Sequence, residues 1–241
     1  MLHDTNPLGQ PLGQALPNWQ PPPHPPRRIL EGRYCRLEPL DPDLHAEALF
    51  AANGLDDEGR NWTYLPYGPF ANLAVYRAWV ARVSEGEDPL FFAIVEEATG
   101  LAAGVASYLR ITPGSGSIEV GHRNYSPLLQ RTRAATEAMY LMMEQAFALG
   151  YRRYEWKCNA FNAASREGAL RLGFSYEGLF RQATVVKGHN RDTAWYAVID
   201  REWPALQAAF LQWLDPANFD SQDQQRVSLS ALTAPLLVQR G

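Results

Sequence analysis

The sequence predicts one mixed α/β domain, and three observations carry that reading. From Pro89 to Tyr125 the apolar residues follow the period of strands, broken by short turns. Beyond Ser126 helical and strand periods alternate, with Gly150 and Gly173 in place to end two helices. Hydrophobic residues make up 46% and charged residues 20% of the 241 residues, enough for a sizeable core and far from the composition of disordered chains. Strands followed by strand, helix, strand, helix and two more strands describe one domain, and no internal repeat divides it.

Taken in order, eight of the 18 prolines fall within the first 26 residues. Residues 1–28 are therefore expected to form an extended, partly polyproline arm of about 3.1 Å per residue, surface-hugging or disordered, with a ligand for proline-recognition modules as the alternative. Tyr34 to Leu40 reads as a first strand. Asp41 then caps a helix with Pro42 in its first turn, and Leu44, Ala48 and Leu49 keep helical spacing to Asn53-Gly54. An aromatic loop holds Trp62, Tyr64, Tyr67 and Phe70, and Asn72 to Ser84 is again helical through Val75, Trp79 and Val83. Leu90 to Glu96, Leu101 to Ile111 and Ser117 to Tyr125 make an antiparallel meander.

Ala134 to Leu149 is a helix whose Met139, Met142 and Met143 are core, with Glu137 and Glu144 on a polar face. Tyr151 to Cys158 is a strand and Ala163 to Leu172 a helix. Phe174 to Val186 and Asp192 to Ile199 form a hairpin about Lys187-Gly188-His189-Asn190, and Trp203 to Leu214 closes the domain. The domain is thus expected over 29–214, followed by a tail, 215–241, rich in Gln and Ser and without clear period.

The net charge of −4 supplies no global field toward nucleic acid or an anionic membrane, so neither is an expected partner and any bound anion must be held locally. The longest apolar runs, such as Leu90 to Val95, fall far short of the roughly 20 residues of a membrane helix. The Met1-Leu2-His3-Asp4 start lacks the basic and apolar regions of a signal peptide, which points to the cytoplasm. Cys35 and Cys158 make no disulfide framework, and five scattered histidines offer no metal-ligand spacing, so no metal is expected. GxxxxGK[ST], GxGxxG, HExxH and GxSxG are all absent.

Val120 to Thr136 stands out. It carries Arg123, Arg131 and Arg133 and no acidic residue, and it leads from a strand into a helix start, where open amides and the helix dipole favour an anion. The alternative is a solvated basic loop.

Ser117-Ile118-Glu119-Val120-Gly121-His122, followed by Gln130-Arg131-Thr132-Arg133-Ala134-Ala135-Thr136-Glu137-Ala138, resembles motif A of the GCN5-related N-acetyltransferase (GNAT) superfamily. Asn162-Ala163-Ala164-Ser165, Leu172-Gly173-Phe174 and Glu177-Gly178 resemble its motif B and the strand that follows. The similarity covers about residues 30 to 203 and is nearest the ribosomal-protein N-terminal acetyltransferase branch. The signature Q/R-x-x-G-x-G/A is kept at Gln130 and Ala135 and broken at Arg133, where glycine is usual.

The resemblance implies a mostly antiparallel twisted sheet with a V-shaped split between two central parallel strands, and helices on both faces. It implies acetyl-CoA as acyl donor and a peptide or small-molecule amine as acceptor, and it admits a homodimer. Val120, His122, Arg123, Gln130, Arg131, Thr132, Arg133, Ala134, Ala135, Thr136, Asn159 and Asn162 would contact the cofactor, with Asn162 also readable as a helix cap. Glu119 would be the general base, or else an outward strand carboxylate. His122 is a second base, set on the opposite strand face from Glu119 unless a bulge intervenes.

Many relatives carry a tyrosine acid seven residues after the motif B asparagine, and here that position is Ala169. Ser165 would instead donate to the leaving sulfur, or simply cap its helix. Trp62, Tyr64, Leu65 and Tyr67 would line the acceptor pocket, by the likeness of their loop to the family's acceptor-side loop. A non-catalytic acyl-CoA-binding module is the competing reading.

Overall fold

The computed structural model describes residues 3–241, so Met1 and Leu2, where the proline-rich arm starts, lie outside the described residues. The arm departs from the expected extended form at once. Strands β1 (His3–Thr5) and β2 (Pro11–Gly13) pair antiparallel around a turn closed by Asn6, whose Oδ1 accepts from the amides of Leu8 and Gln10 at 3.0 and 2.9 Å. An asparagine that closes its own turn is the local force that the proline count concealed. The rest of the arm lies against the domain, with Pro22 and Pro25 buried, the Tyr151 hydroxyl donating to the Pro23 carbonyl and the Arg27 guanidinium donating to the Ser84 carbonyl.

The main sheet is built from β3 (Leu30–Glu31), β4 (Cys35–Pro39), β5 (Leu90–Glu96), β6 (Ala102–Thr112), β7 (Ser117–Tyr125), β8 (Arg153–Asn159), β9 (Ser175–Val186) and β10 (His189–Ile199). Their spatial order is β3-β4-β5-β6-β7-β8-β10-β9, antiparallel throughout except for the parallel pair β7–β8. The meander and the closing hairpin follow from their short turns. The parallel pair needs a crossover, and the helix Arg133–Ala148 provides it.

Helices start where a side chain can take their orphan amides. Asp41 caps α1 (Pro42–Asn53), Asn72 caps α2 (Leu73–Ser84), Thr132 caps α3 (Arg133–Ala148) and Asn162 caps α4 (Ala163–Arg171). The first two pack on one face of the sheet, where Leu49, Trp79 and Val80 meet Phe91, Ala93 and Val105. On the other face α3, α4 and α5 (Trp203–Leu214) bury Met139, Met142 and Met143 with Ile118, Tyr154 and Phe210. The split sheet with helices on both faces is the fold expected. No helix among the described residues is long and apolar enough to cross a membrane.

Glu137 corrects the expectation of a polar helix face. It is buried, and its carboxylate accepts from the amides of Arg33, Tyr34 and Cys35 at 2.9, 2.6 and 2.9 Å, tying the entry of β4 to α3. Three donors replace the water that burial removes. Residues 215–241 are folded as well. Their short helix α6 (Leu229–Thr233) buries Leu229 in the core beside α5, and the Tyr176 amide donates to the Gln239 carbonyl at 2.9 Å.

Candidate active site

The parallel pairing of β7 with β8 covers only Ser117–Val120 against Arg153–Trp156. Past Val120 a bulge in β7 sets three steps (Gly121 to Asn124) against two on β6 (Ser107 to Val105), and His122 takes a φ of 49°. The bulge bends β7 away from β8 and opens a V-shaped gap. It also answers the parity argument about His122. Both Glu119 and His122 line the cleft, of about 1200 Å³, that begins at the gap.

One end of the cleft is the start of α3. The amide of Ala135 is taken by the Thr132 hydroxyl at 3.1 Å, whereas among the described residues no partner is found for the amides of Arg131, Arg133 and Ala134. The left-handed residue of this loop is Arg131, with φ 62°, while Arg133 is the first helical residue, so the missing glycine at 133 costs no backbone strain. Arg133 lies 4.7 Å from the Tyr34 ring centroid and 4.3 Å from that of Phe219, and it is paired with Asp223.

At the centre stand Glu119 and Ser165. Glu119 is 2% exposed; its two oxygens accept from Arg110 Nε and Nη2 at 2.7 and 2.8 Å, and Oε2 also faces Lys157 Nζ at 3.0 Å. Leu109 is the register partner of Glu119, and a left-handed φ of 46° at Arg110 breaks the ladder and brings the guanidinium onto the carboxylate. Ser165 Oγ accepts from Trp156 Nε1 at 3.2 Å and from Arg123 Nη2 at 3.3 Å, and the Arg123 guanidinium covers the face of the Trp156 ring. Burial pushes Arg123 down to about 10 and His122 down to about 4, the latter helped by the charges of Arg110 and Arg191.

The other end is closed by the aromatic loop. Tyr67 stacks on His122, with centroids 5.6 Å apart, and its hydroxyl lies 3.2 Å from His122 Nδ1. The Tyr64 hydroxyl donates to the Phe161 carbonyl at 3.1 Å. From the tip of the β9–β10 hairpin, Lys187 Nζ donates to the carbonyls of Trp62 and Gly68 at 2.8 and 2.9 Å. Gly68 is required there twice over, because its φ is 68° and a Cβ would lie 2.4 Å from the Trp62 ring.

Of the residues singled out by sequence, Glu119, Ser165, His122, Arg123, Gln130, Arg131, Thr132, Arg133, Ala135, Thr136, Asn159, Asn162, Tyr64 and Leu65 line this one cleft. The side chains of Val120, Ala134 and Trp62 are instead buried in the core, leaving only the backbone amide of Ala134 for the site, and Tyr67 packs behind His122. Asn162 Oδ1 is occupied as the α4 cap, accepting from the Ser165 amide at 3.1 Å. Ala169 is fully buried and faces the core. Sequence reasoning missed Arg110, Lys157 and Arg191. Lys157 shares a strand face with Glu155, which strand alternation could have found; Arg110 and Arg191 depend on bulges and long-range register.

A helix start with open amides, beside a gap between two central parallel strands, defines the class of acyl-CoA N-acyltransferases. A family model for the acetyltransferase (GNAT) domain matches residues 35–175. A GCN5-related N-acetyltransferase from Brucella melitensis is 49% identical over 91% of this chain and 100% of its own, with a TM-score of 0.89. A probable acetyltransferase of the GNAT family from Chromobacterium violaceum is 40% identical over 81% of this chain and 98% of its own, at 0.75. The ribosomal L7/L12 alpha-N-protein acetyltransferase, 22% identical over 71% of this chain and 94% of its own, shares the fold at 0.61. A search of curated proteins finds no match. The chain belongs to the GNAT acetyltransferase family.

Proposed function

We propose that this protein is an N-acetyltransferase that moves an acetyl group from acetyl-CoA directly to a primary amine, either a peptide or protein N-terminus or a small molecule. The observation that carries the reading is the single cleft joining the open amides at the start of α3 to Glu119 and Ser165 through the gap between β7 and β8. Its residues suit an anionic nucleotide thioester. Arg131, Arg133 and Ala134 would hold phosphate through their amides, and the unpaired edges of β7 and β8 would hold the amide-bearing pantetheine arm as a strand is held.

Bound acetyl-CoA supplies a thioester-activated acetyl group. For their part, the protein's groups handle protons and charge. Glu119 takes the proton of the attacking ammonium, directly or through water, at a carboxylate oxygen whose orientation Arg110 and Lys157 fix. Amides at the His122–Arg123 bulge are the donors for an oxygen that gains negative charge. Ser165 accepts from two donors, so its own O–H remains to be given to the departing sulfur. Burial pushes the Cys158 thiol up, which suits a route without covalent acyl-enzyme. The Asn162 to Ser165 motif supports an enzyme like the ribosomal-protein N-terminal acetyltransferases.

The test is thiol release from acetyl-CoA over a panel of amines and peptides. Sustained, amine-dependent release is expected, and Glu119→Gln should depress turnover with little change in coenzyme A binding. Stoichiometric binding without release across the panel would favour a non-catalytic acyl-CoA-binding module, the reading that alanine at 169 also favours.

A further inference from the structure

Arg191 sits on β10 just beyond the point where β8 ends at Asn159, and it lines the cleft together with Arg110, Glu119, His122 and Lys157. Its Nε is enclosed and without a hydrogen-bond partner, and among the described residues no carboxylate forms an ion pair with it. Two of the neighbouring cations are already paired with carboxylates. Arg110 and Lys157 are held by Glu119, and Lys157 also by Glu155 at 2.7 Å. Arg123 likewise has no carboxylate partner and an unpartnered Nε, but its guanidinium is laid over the Trp156 ring and bonds Ser165.

The charge on the cleft wall is correspondingly one-sided. Its acidic residues are Glu119, shared by two cations, and Asp223, paired with Arg133 at the other end. A simple ammonium entering at the Arg191 end meets net positive charge. An amine that carries its own anion meets a guanidinium whose planar fork suits a carboxylate or phosphate and whose desolvation such a ligand would offset. Burial first, and then the charges of Arg110 and Arg191, lower the proton affinity of His122, in keeping with such a wall.

We propose that the acceptor amine bears an anionic group, a carboxylate or a phosphate, and that Arg191 binds it. The proposal rests on the acetyltransferase reading and adds the acceptor's class and the residue that selects it. Arg191 is a binding residue, not part of the proton path.

Binding calorimetry on the coenzyme A-loaded protein tests this with matched probes that differ only in the anion. N-acetylglycine is compared with N-acetylglycinamide, and N-acetyl-O-phosphoethanolamine with N-acetylethanolamine. At least one anionic probe should bind about ten-fold more tightly than its neutral twin, and Arg191→Gln should erase that difference while Arg191→Lys keeps part of it. The pair with the larger difference tells carboxylate from phosphate. Equal binding within both pairs, no binding by either anionic probe, or a difference that survives in Arg191→Gln would overturn the proposal. Because the wild-type pairs need neither turnover nor a variant, failure of acetyl transfer counts against the catalytic reading and leaves this result to stand or fall separately.

Discussion

Glu119 and Glu155 are register partners across the parallel strands β7 and β8, and Lys157 Nζ stands between them, 3.0 Å from one carboxylate and 2.7 Å from the other. Arg110 and Arg153 close the row on either side. Charges therefore alternate across the seam where the sheet begins to part. Two facing carboxylates without the central cation would repel, so the row fixes Glu119 and the root of the gap together.

Lys157→Met leaves those carboxylates facing each other in a largely buried setting. Unfolding in urea at pH 7 should show a loss of about 3 kcal/mol. Against the upward push of burial, Arg153 and Lys157 hold the Glu155 carboxyl below its ordinary value; without Lys157 its share of that stabilisation is gone, so the loss is largest above the carboxylate range and shrinks near pH 4. A deficit of equal size at both pH values would mean that packing of the lysine stem, not charge, is responsible.

His122 gives a second pH signature, in which a buried neutral ring replaces a paired anion. Burial, then Arg110 and Arg191, push it down to about 4, whereas the unfolded chain titrates near 6.5. Between those values the unfolded state binds the extra proton. Stability from this residue is complete above the unfolded value and is lost as pH falls through the window, by on the order of 3 kcal/mol at most. His122→Gln should flatten the pH dependence of unfolding free energy between 6.5 and 4, and an unaltered slope would assign it to other groups.

Lys187 latches the aromatic loop, the proposed acceptor side of the cleft, through the carbonyls of Trp62 and Gly68. In Lys187→Met the acceptor KM should rise roughly three- to ten-fold, the scale of two hydrogen bonds to a charged group weakened by partial exposure, while coenzyme A affinity stays level. Parallel loss of both affinities would show that the latch supports the whole cleft.

Asp223 occupies the Arg133 guanidinium at the start of α3. If phosphate binds there, the two anions compete. Asp223→Asn should tighten coenzyme A binding about three-fold or more in calorimetry. Weaker binding instead would make Asp223 the group that aims Arg133 at the ligand.

Helix boundaries were legible because their signals are local: Asp41, Asn72 and Asn162 accept amides two or three residues on, and Gly150 and Gly173, with φ of 97° and 85°, end their helices. Asn6 was equally local and hidden among prolines. The cleft was legible on its motif A side because one continuous stretch supplies it. Arg110, Lys157 and Arg191 reach it from three strands, and the bulge at His122 has no mark in the chain. Glu137 shows the limit of helical periodicity, since an acidic residue reads as solvent-facing until the amides that receive it are known.

The burial of Leu229 orders events in time. Leu229 lies in the core where α6 packs against α4 and α5, both made before it, so during synthesis the apolar surface there waits partly bare until α6 emerges. Bacterial or eukaryotic, a host producing this chain would hold a nearly complete acetyltransferase with an open apolar seam. A fragment stopped after α5 is therefore expected to be a client of chaperones rather than a smaller enzyme.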